Sequence, residues 1–147
     1  MYLSTMQTTF HLFVYGSLRS GFKSEAYNYV SKYFKLIGDA KVQGKLYNMG
    51  DYPAGKPTNE DCFIIGELYS IINPDEFGFA IAQLDDYEGI HSEEGELPLF
   101  RREKNMVIDA NGNVTEAWVY WFNGDVTNKT CIASGDVLAF YAEQHKH

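Results

Sequence analysis

The tightest constraint in the chain is a short apolar strand that runs straight into a turn, FHLFVYGSLRSG at residues 10–21. Phe10, Leu12, Phe13 and Val14 supply the strand, and Tyr15, Gly16, Ser17, Leu18 and Arg19 end it before a helical pattern begins. A strand that stops at such a turn leaves backbone N–H groups pointing outward, unclaimed by any ladder. A nest of this kind seats a carboxylate, a phosphate or a developing oxyanion. A plain strand-to-helix connection accounts for the same residues, so the turn alone leaves both readings open. Gly16 and Gly21 have the spacing of a P-loop, but that motif needs Lys directly after the second glycine. Phe22 stands there, Lys23-Ser24 arrive one residue late, and no GxGxxG occurs. Nucleotide binding is not indicated.

At 147 residues the expectation is one domain, able to bury roughly two-thirds of the surface its unfolded chain exposes. Eleven Tyr and ten Phe call for a packed core or a lined cavity. The net charge is −8 and no basic run exceeds Arg101-Arg102, so the footprint of a nucleic-acid partner is missing. The same acidity disfavours an anionic membrane surface. The first ten residues lack the basic and apolar regions of a signal peptide, and no apolar run approaches the ~20 residues of a spanning helix. Cys62 and Cys131 lie far apart without a CxxC or a neighbouring His, which points to buried free thiols rather than zinc. The expectation from these features is a soluble, cytoplasmic protein with no membrane or nucleic-acid partner.

Residues 24–37 carry apolar side chains at Ala26, Tyr29, Val30, Tyr33, Phe34 and Ile37, which is helical spacing with a stop near Gly38. Residues 41–49 read as a strand whose interior Gly44 marks a bulge or a close backbone approach. Residues 50–61, with Pro53, Gly55 and Pro57, read as loop. Residues 62–72 form a more buried strand, again with a central glycine, Gly66. Asn73-Pro74-Asp75-Glu76 is a helix start, with Asn73 as cap and Pro74 in the first position. That helix runs to Tyr87 or Glu88, where Gly89 is placed to end it. An acidic loop at 91–98 follows, with Glu93, Glu94 and Glu96. Strands at 99–108 and 114–122 flank the hairpin signal Asn111-Gly112, the second of them apolar on both faces from Ala117 onward and so central. A loop at 123–130 and a closing helix at 134–143 complete the chain, which shows no repeat or linker.

Glu88 is the most informative single residue. On its helix Phe77, Ile81 and Leu84 form one apolar stripe, and at about 100° per residue Glu88 falls in the middle of that stripe. Asp86 points roughly opposite and Asp85 sits on the flank. Carboxylates are rarely buried without a partner. Desolvation and the negative end of the helix dipole would both favour the protonated acid there, which suits a proton shuttle near neutral pH. If the helix frays at Tyr87, Glu88 merely reaches solvent, and spacing alone does not choose. Adjacent carboxylates on a helix diverge and no His joins them, so a metal site is not expected. His11, His91, His145 and His147 are scattered, and Ser17 lacks the context of a nucleophile elbow. Trp118 and Tyr120 read as core or cavity wall, with substrate packing as the alternative.

Several blocks then fall into a recognisable order: YGSLR, GKLY at 44–47, YPA at 52–54, GELY at 66–69, LDDYEG at 84–89, FRR at 100–102 and AWVY at 117–120. This order resembles the γ-glutamylcyclotransferase-like (AIG2-like) family from Leu12 to Tyr120, and more faintly at Gly135-Asp136. The resemblance implies an α+β fold, with a mixed, barrel-like sheet, a few flanking helices and one cavity. It implies that Tyr15, Gly16, Ser17 and Leu18 hold the γ-glutamyl part of a substrate through their backbone, and that Glu88 is the catalytic acid/base. The reaction implied releases 5-oxoproline from a γ-glutamyl amine or γ-glutamyl amino acid by attack of the substrate's own α-amine. It needs no metal or cofactor. Phe100 stands where the family often has Tyr, and Val137 where it often has Trp. A catalytically silent binding module of the same fold is the alternative reading, and an interaction protein using its aromatic surface is a third.

Overall fold

A computed structural model of the protein describes residues 9–16, 25–50, 52–88 and 99–144, apart from the side chains of residues 25, 26, 88, 143 and 144. The elements in chain order are β1 (His11–Val14), α1 (Glu25–Tyr33), β2 (Phe34–Gln43), β3 (Lys45–Asn48), β4 (Pro53–Lys56) and β5 (Phe63–Ile71). They continue with α2 (Phe77–Glu88), β6 (Phe100–Asp109), β7 (Val114–Phe122), β8 (Thr130–Cys131) and α3 (Val137–Gln144). Five strands close into a barrel in the order β1-β5-β2-β6-β7, and β4-β3-β8 form a small second sheet. Four of the barrel pairings are antiparallel. The barrel closes where β1 runs parallel to β7, with Leu12 opposite Trp118. This is the mixed, barrel-like fold with few helices that the resemblance implied.

Period-two alternation divides the apolar residues between two cores. Phe13, Val42, Leu68, Val107, Val119 and Trp121 belong to one cluster, to which each of the five barrel strands contributes, and this is the inside of the barrel. Trp121 is fully buried there, and its indole N–H donates to the Asn105 side chain at 2.9 Å. The other faces of β1, β5, β6 and β7 present Leu12, Val14, Tyr69, Phe100, Tyr120 and Phe122, packed with Val30 of α1 and with the buried stripe of α2. Helices α1 and α2 therefore lie outside the wall. The Tyr29 hydroxyl ties them together by donating to the Ala80 carbonyl at 3.4 Å. Burial chiefly, and Tyr33 beside it, push the Tyr29 phenol up to about 12, so it remains a donor at any ordinary pH.

Several boundaries differ from the expectation. Helix α1 stops at Tyr33, and Phe34, Lys35 and Leu36 pair with Ile71, Ser70 and Tyr69 of β5 instead of making another helical turn. Phe34 is buried either way, but the strand leaves Leu36 and Ile37 exposed, so access to the edge of β5 outweighs the helical spacing. The single strand expected across Gly44 is two strands in different sheets. A Cβ at Gly44 would stand 2.9 Å from the Ile64 side chain and 3.0 Å from the Lys56 carbonyl oxygen, so the break is a close approach. The expected loop at 50–61 contains β4, with Pro53 in the first position, where a strand tolerates it.

Residues 130–131 add a short strand, β8, that was not expected, and α3 begins at Val137 rather than at 134, while the remaining elements agree. Asn73 caps as expected, its side chain accepting from the Asp75 N–H at 3.1 Å, and a 3-10 turn over Pro74–Glu76 leads into α2. The β6–β7 hairpin is held by the Asp109 carboxylate, which accepts from the N–H groups of Asn111 and Asn113, both at 2.9 Å. The thiols of Cys62 and Cys131 are free, but Cys62 is half-buried and Cys131 exposed, which corrects the expectation of buried ones. No described helix is long and apolar enough to cross a membrane. Gly89 and the acidic loop with Glu93, Glu94 and Glu96 lie outside the described residues.

Candidate active site

Beyond β1, Tyr15 and Gly16 are described, whereas Ser17 and Leu18 lie outside the described residues. The Tyr15 side chain is buried among the barrel's inner residues. Its hydroxyl donates to the Tyr120 carbonyl at 2.6 Å and accepts the Gly55 N–H at 3.2 Å. One phenol thus staples the exit of β1 to β7 and to β4. A Cβ at Gly16 would lie 3.3 Å from the Pro53 ring, so the chain leaves the barrel pressed against β4.

A cavity of about 190 Å³ opens at this end of β1, lined by Tyr15 and Gly16, by Tyr52 beside β4, by Tyr87 of α2, by Phe100 of β6 and by Tyr120 of β7. It is small beside the ~300–1,000 Å³ of pockets that take drug-sized ligands. Aromatic rings dominate its wall, where Tyr52 lies 6.1 Å from Phe100, and behind them Phe122 packs 6.1 Å from Tyr52 and 5.5 Å from Phe100, centroid to centroid. Of the two departures from the family pattern, Phe100 borders this cavity, whereas Val137 packs in the other core, inside the barrel. Tyr120 proves to be cavity wall.

Helix α2 buries the expected stripe of Phe77, Ile81 and Leu84, with Ala80, and leaves Asp86 exposed. It continues through Glu88, so it does not end at Tyr87, and the side chain of Glu88 lies outside the described residues. Asp85 departs from the expected flank position. It is only 7% exposed and engaged on both oxygens by Arg102, whose Nε donates at 2.7 Å and whose Nη2 donates at 2.9 Å. The Tyr120 hydroxyl donates to the same carboxylate at 2.8 Å. Arg102 also lies 4.4 Å over the Trp118 ring, and it faces Tyr120 directly across the β6–β7 ladder.

Sequence reasoning missed this cluster, although a signal existed. Asp85 lies four residues after Ile81, and Arg102 shares the face of Phe100 by alternation. A second buried carboxylate was missed as well. Glu67, 6% exposed, stands opposite Val14 on β5 and accepts the Tyr69 hydroxyl at 3.0 Å. Among the described residues no group of three or more His, Cys, Asp or Glu could hold a metal ion.

Comparison with known proteins agrees with this architecture. Residues 12–139 match the family model described as gamma-glutamyl cyclotransferase, AIG2-like. A Methanocaldococcus jannaschii protein whose name only proposes a gamma-glutamylcyclotransferase is 33% identical over 115 residues, which are 76% of this chain and 83% of that protein. The solution structure of YtfP from Escherichia coli is 28% identical, with a TM-score of 0.59 over 89% of this chain and 98% of YtfP. The crystal structure of YkqA from Bacillus subtilis shares the fold with a TM-score of 0.66 at 22% identity over 95% of this chain, which spans 44% of YkqA. On its motifs, its barrel and these matches, the chain belongs to the gamma-glutamyl cyclotransferase, AIG2-like family.

Proposed function

We propose that the protein is a cyclotransferase that converts a γ-glutamyl amine or γ-glutamyl amino acid into 5-oxoproline and a free amine, without metal or cofactor. The observation that carries the reading is the small aromatic cavity bounded by the Tyr15–Gly16 exit of β1 and by Tyr87, the residue before Glu88. In the reaction the substrate's α-ammonium loses a proton to Glu88 and its nitrogen attacks the γ-carbonyl carbon. The new C–N bond closes a five-membered lactam, the amide C–N bond breaks, and Glu88 returns the proton to the departing nitrogen; the second proton, shed by the ring nitrogen as it becomes a lactam N–H, leaves on the freed amine as its ammonium. Atoms balance with no water consumed.

Because nucleophile and electrophile belong to one molecule, selecting the folded conformer removes much of the barrier. A small cavity with stiff aromatic walls suits that task. Backbone N–H groups of Tyr15, Gly16, Ser17 and Leu18 hold the substrate's α-carboxylate or support the oxyanion, a role in which one donor contributes about 3 kcal/mol elsewhere. The reading is supported by the family, by the name given to the archaeal relative and by the site's position at the junction of both motifs. Its test is incubation with a panel of γ-glutamyl amines, γ-glutamyl dipeptides and glutathione, with detection of 5-oxoproline. Release from at least one is expected. Ligand-induced stabilisation without product would favour the silent binding module.

A further inference from the structure

The amine released in the cyclisation leaves past the wall of the cavity, and none of the described residues lining that wall carries a charged side chain. Pro53, Leu99 and Phe100 have only carbon in their side chains, so any side-chain atom of theirs that reaches the hollow is apolar. Cations stand close in sequence but are engaged elsewhere. Arg101 donates to Glu103 and Asn123, Arg102 donates to Asp85, and Lys56 lies over the ring of Phe122, which is not among the lining residues. Two residues of the wall are also exposed: Tyr87 and Leu99 keep 55% and 46% of their surface accessible, so they mark where the cavity meets solvent. Exposed apolar side chains gathered at the rim of a hollow mark a ligand site rather than bare surface. The Leu99 carbonyl accepts the Asn123 N–H at 2.9 Å, which fixes the backbone of that rim.

A γ-glutamyl compound has a constant part and a variable part. The α-amine, α-carboxylate and γ-carbonyl are the same in every substrate, and under the cyclotransferase reading they belong with the Tyr15–Gly16 exit and Glu88. The variable part begins beyond the scissile nitrogen and is left with the side formed by Phe100, Leu99 and Tyr87. A carboxylate carried there gives up water without gaining a counter-charge from the described wall, and the net charge of −8 repels it further. A cation calls for a carboxylate or for ring faces standing around it, whereas the rings of Tyr52 and Phe100 meet edge to face. We propose that the site selects γ-glutamyl compounds whose departing amine bears an uncharged apolar chain, received along Phe100, Leu99 and Tyr87. The inference rests on the cyclotransferase reading and narrows its substrate class to γ-glutamyl alkyl or aryl amines, away from γ-glutamyl amino acids.

The test compares the γ-glutamyl amides of n-butylamine, γ-aminobutyrate and putrescine, which are similar in length and end in a methyl, a carboxylate and an ammonium. For 5-oxoproline release, kcat/KM is expected to be about tenfold or more higher for the butyl amide than for either charged compound. It is also expected to rise roughly threefold with each methylene from ethyl to butyl. Leu99→Lys places a cation at the half-exposed rim, and is expected to move the ratio of the carboxylate to the butyl compound about fivefold or more toward the carboxylate. Release without preference, with a charged compound ahead, or from γ-glutamyl dipeptides and glutathione alone overturns the inference and leaves the cyclotransferase reading standing. An unmoved ratio in folded Leu99→Lys overturns the placement of the departing chain; if that variant does not fold, the wild-type ratios and the methylene series decide. No release from any γ-glutamyl compound overturns the cyclotransferase reading itself, and this inference with it.

Discussion

Tyr15 shows how one side chain can be structural while its backbone serves a site. Its phenol faces the barrel and satisfies two main-chain groups, the Gly55 N–H and the Tyr120 carbonyl. Tyr15→Phe keeps the ring but leaves both buried groups without that partner. At about 1–3 kcal/mol for an unsatisfied buried group, urea denaturation is expected to show a loss of about 2 kcal/mol. His11 offers a second residue-scale test. Burial holds its imidazole below the usual 6.5, so the folded protein takes up that proton later than the unfolded chain. Stability is then insensitive to His11 above pH 6.5 and falls as pH drops below it, through the lowered folded-state value. His11→Asn is expected to flatten the melting-temperature profile below pH 6.5, and an unchanged slope would refute the assignment.

At the scale of elements, two contacts decide where the site sits. Strand β1 meets β5 at Gly66, where a Cβ would stand 2.2 Å from the Val14 carbonyl oxygen. Gly66→Ala must push the two strands apart, at a cost of about 2 kcal/mol or more in chemical denaturation. It should also depress 5-oxoproline release, because Val14 leads directly into Tyr15. The end of α2 is fastened by Arg102 and Asp85, whose side chains are 21% and 9% exposed. Arg102→Met removes the cation and leaves a buried carboxylate, so it is expected to destabilise by about 3 kcal/mol in the same assay.

The elements also show what a sequence can disclose. Signals that act locally were legible: the Asn73-Pro74 helix start, the apolar strand ending at Ile71 and the aromatic strand β7. The boundary at Tyr33 was not, because Phe34 is buried on a helix and on a strand alike and only the distant edge of β5 chooses between them. β4 was hidden by Pro53 and Gly55, which read as loop until the approach of Tyr15 and the pairing with β3 explain them. The Asp85–Arg102–Tyr120 cluster draws on three elements, so spacing could place Asp85 and Arg102 on core-facing sides of their own elements but could not bring the three together.

At the scale of the molecule, closing five strands with one parallel seam sets the exit of β1 beside Tyr120, near the end of β7, and α2 packs outside that wall. The turn motif and the helix motif, some seventy residues apart in sequence, thereby border one cavity. The barrel itself entered the sequence reading through the family resemblance, since strand order is not readable from periodicity. The most direct measurement of the central claim is the rate of 5-oxoproline release by wild-type protein and by Glu88→Gln across the γ-glutamyl panel. The account predicts release from at least one compound, a fall of about a hundredfold or more in the variant, and an unchanged melting temperature. Full activity in Glu88→Gln, or no release by the wild type from any compound, would contradict it.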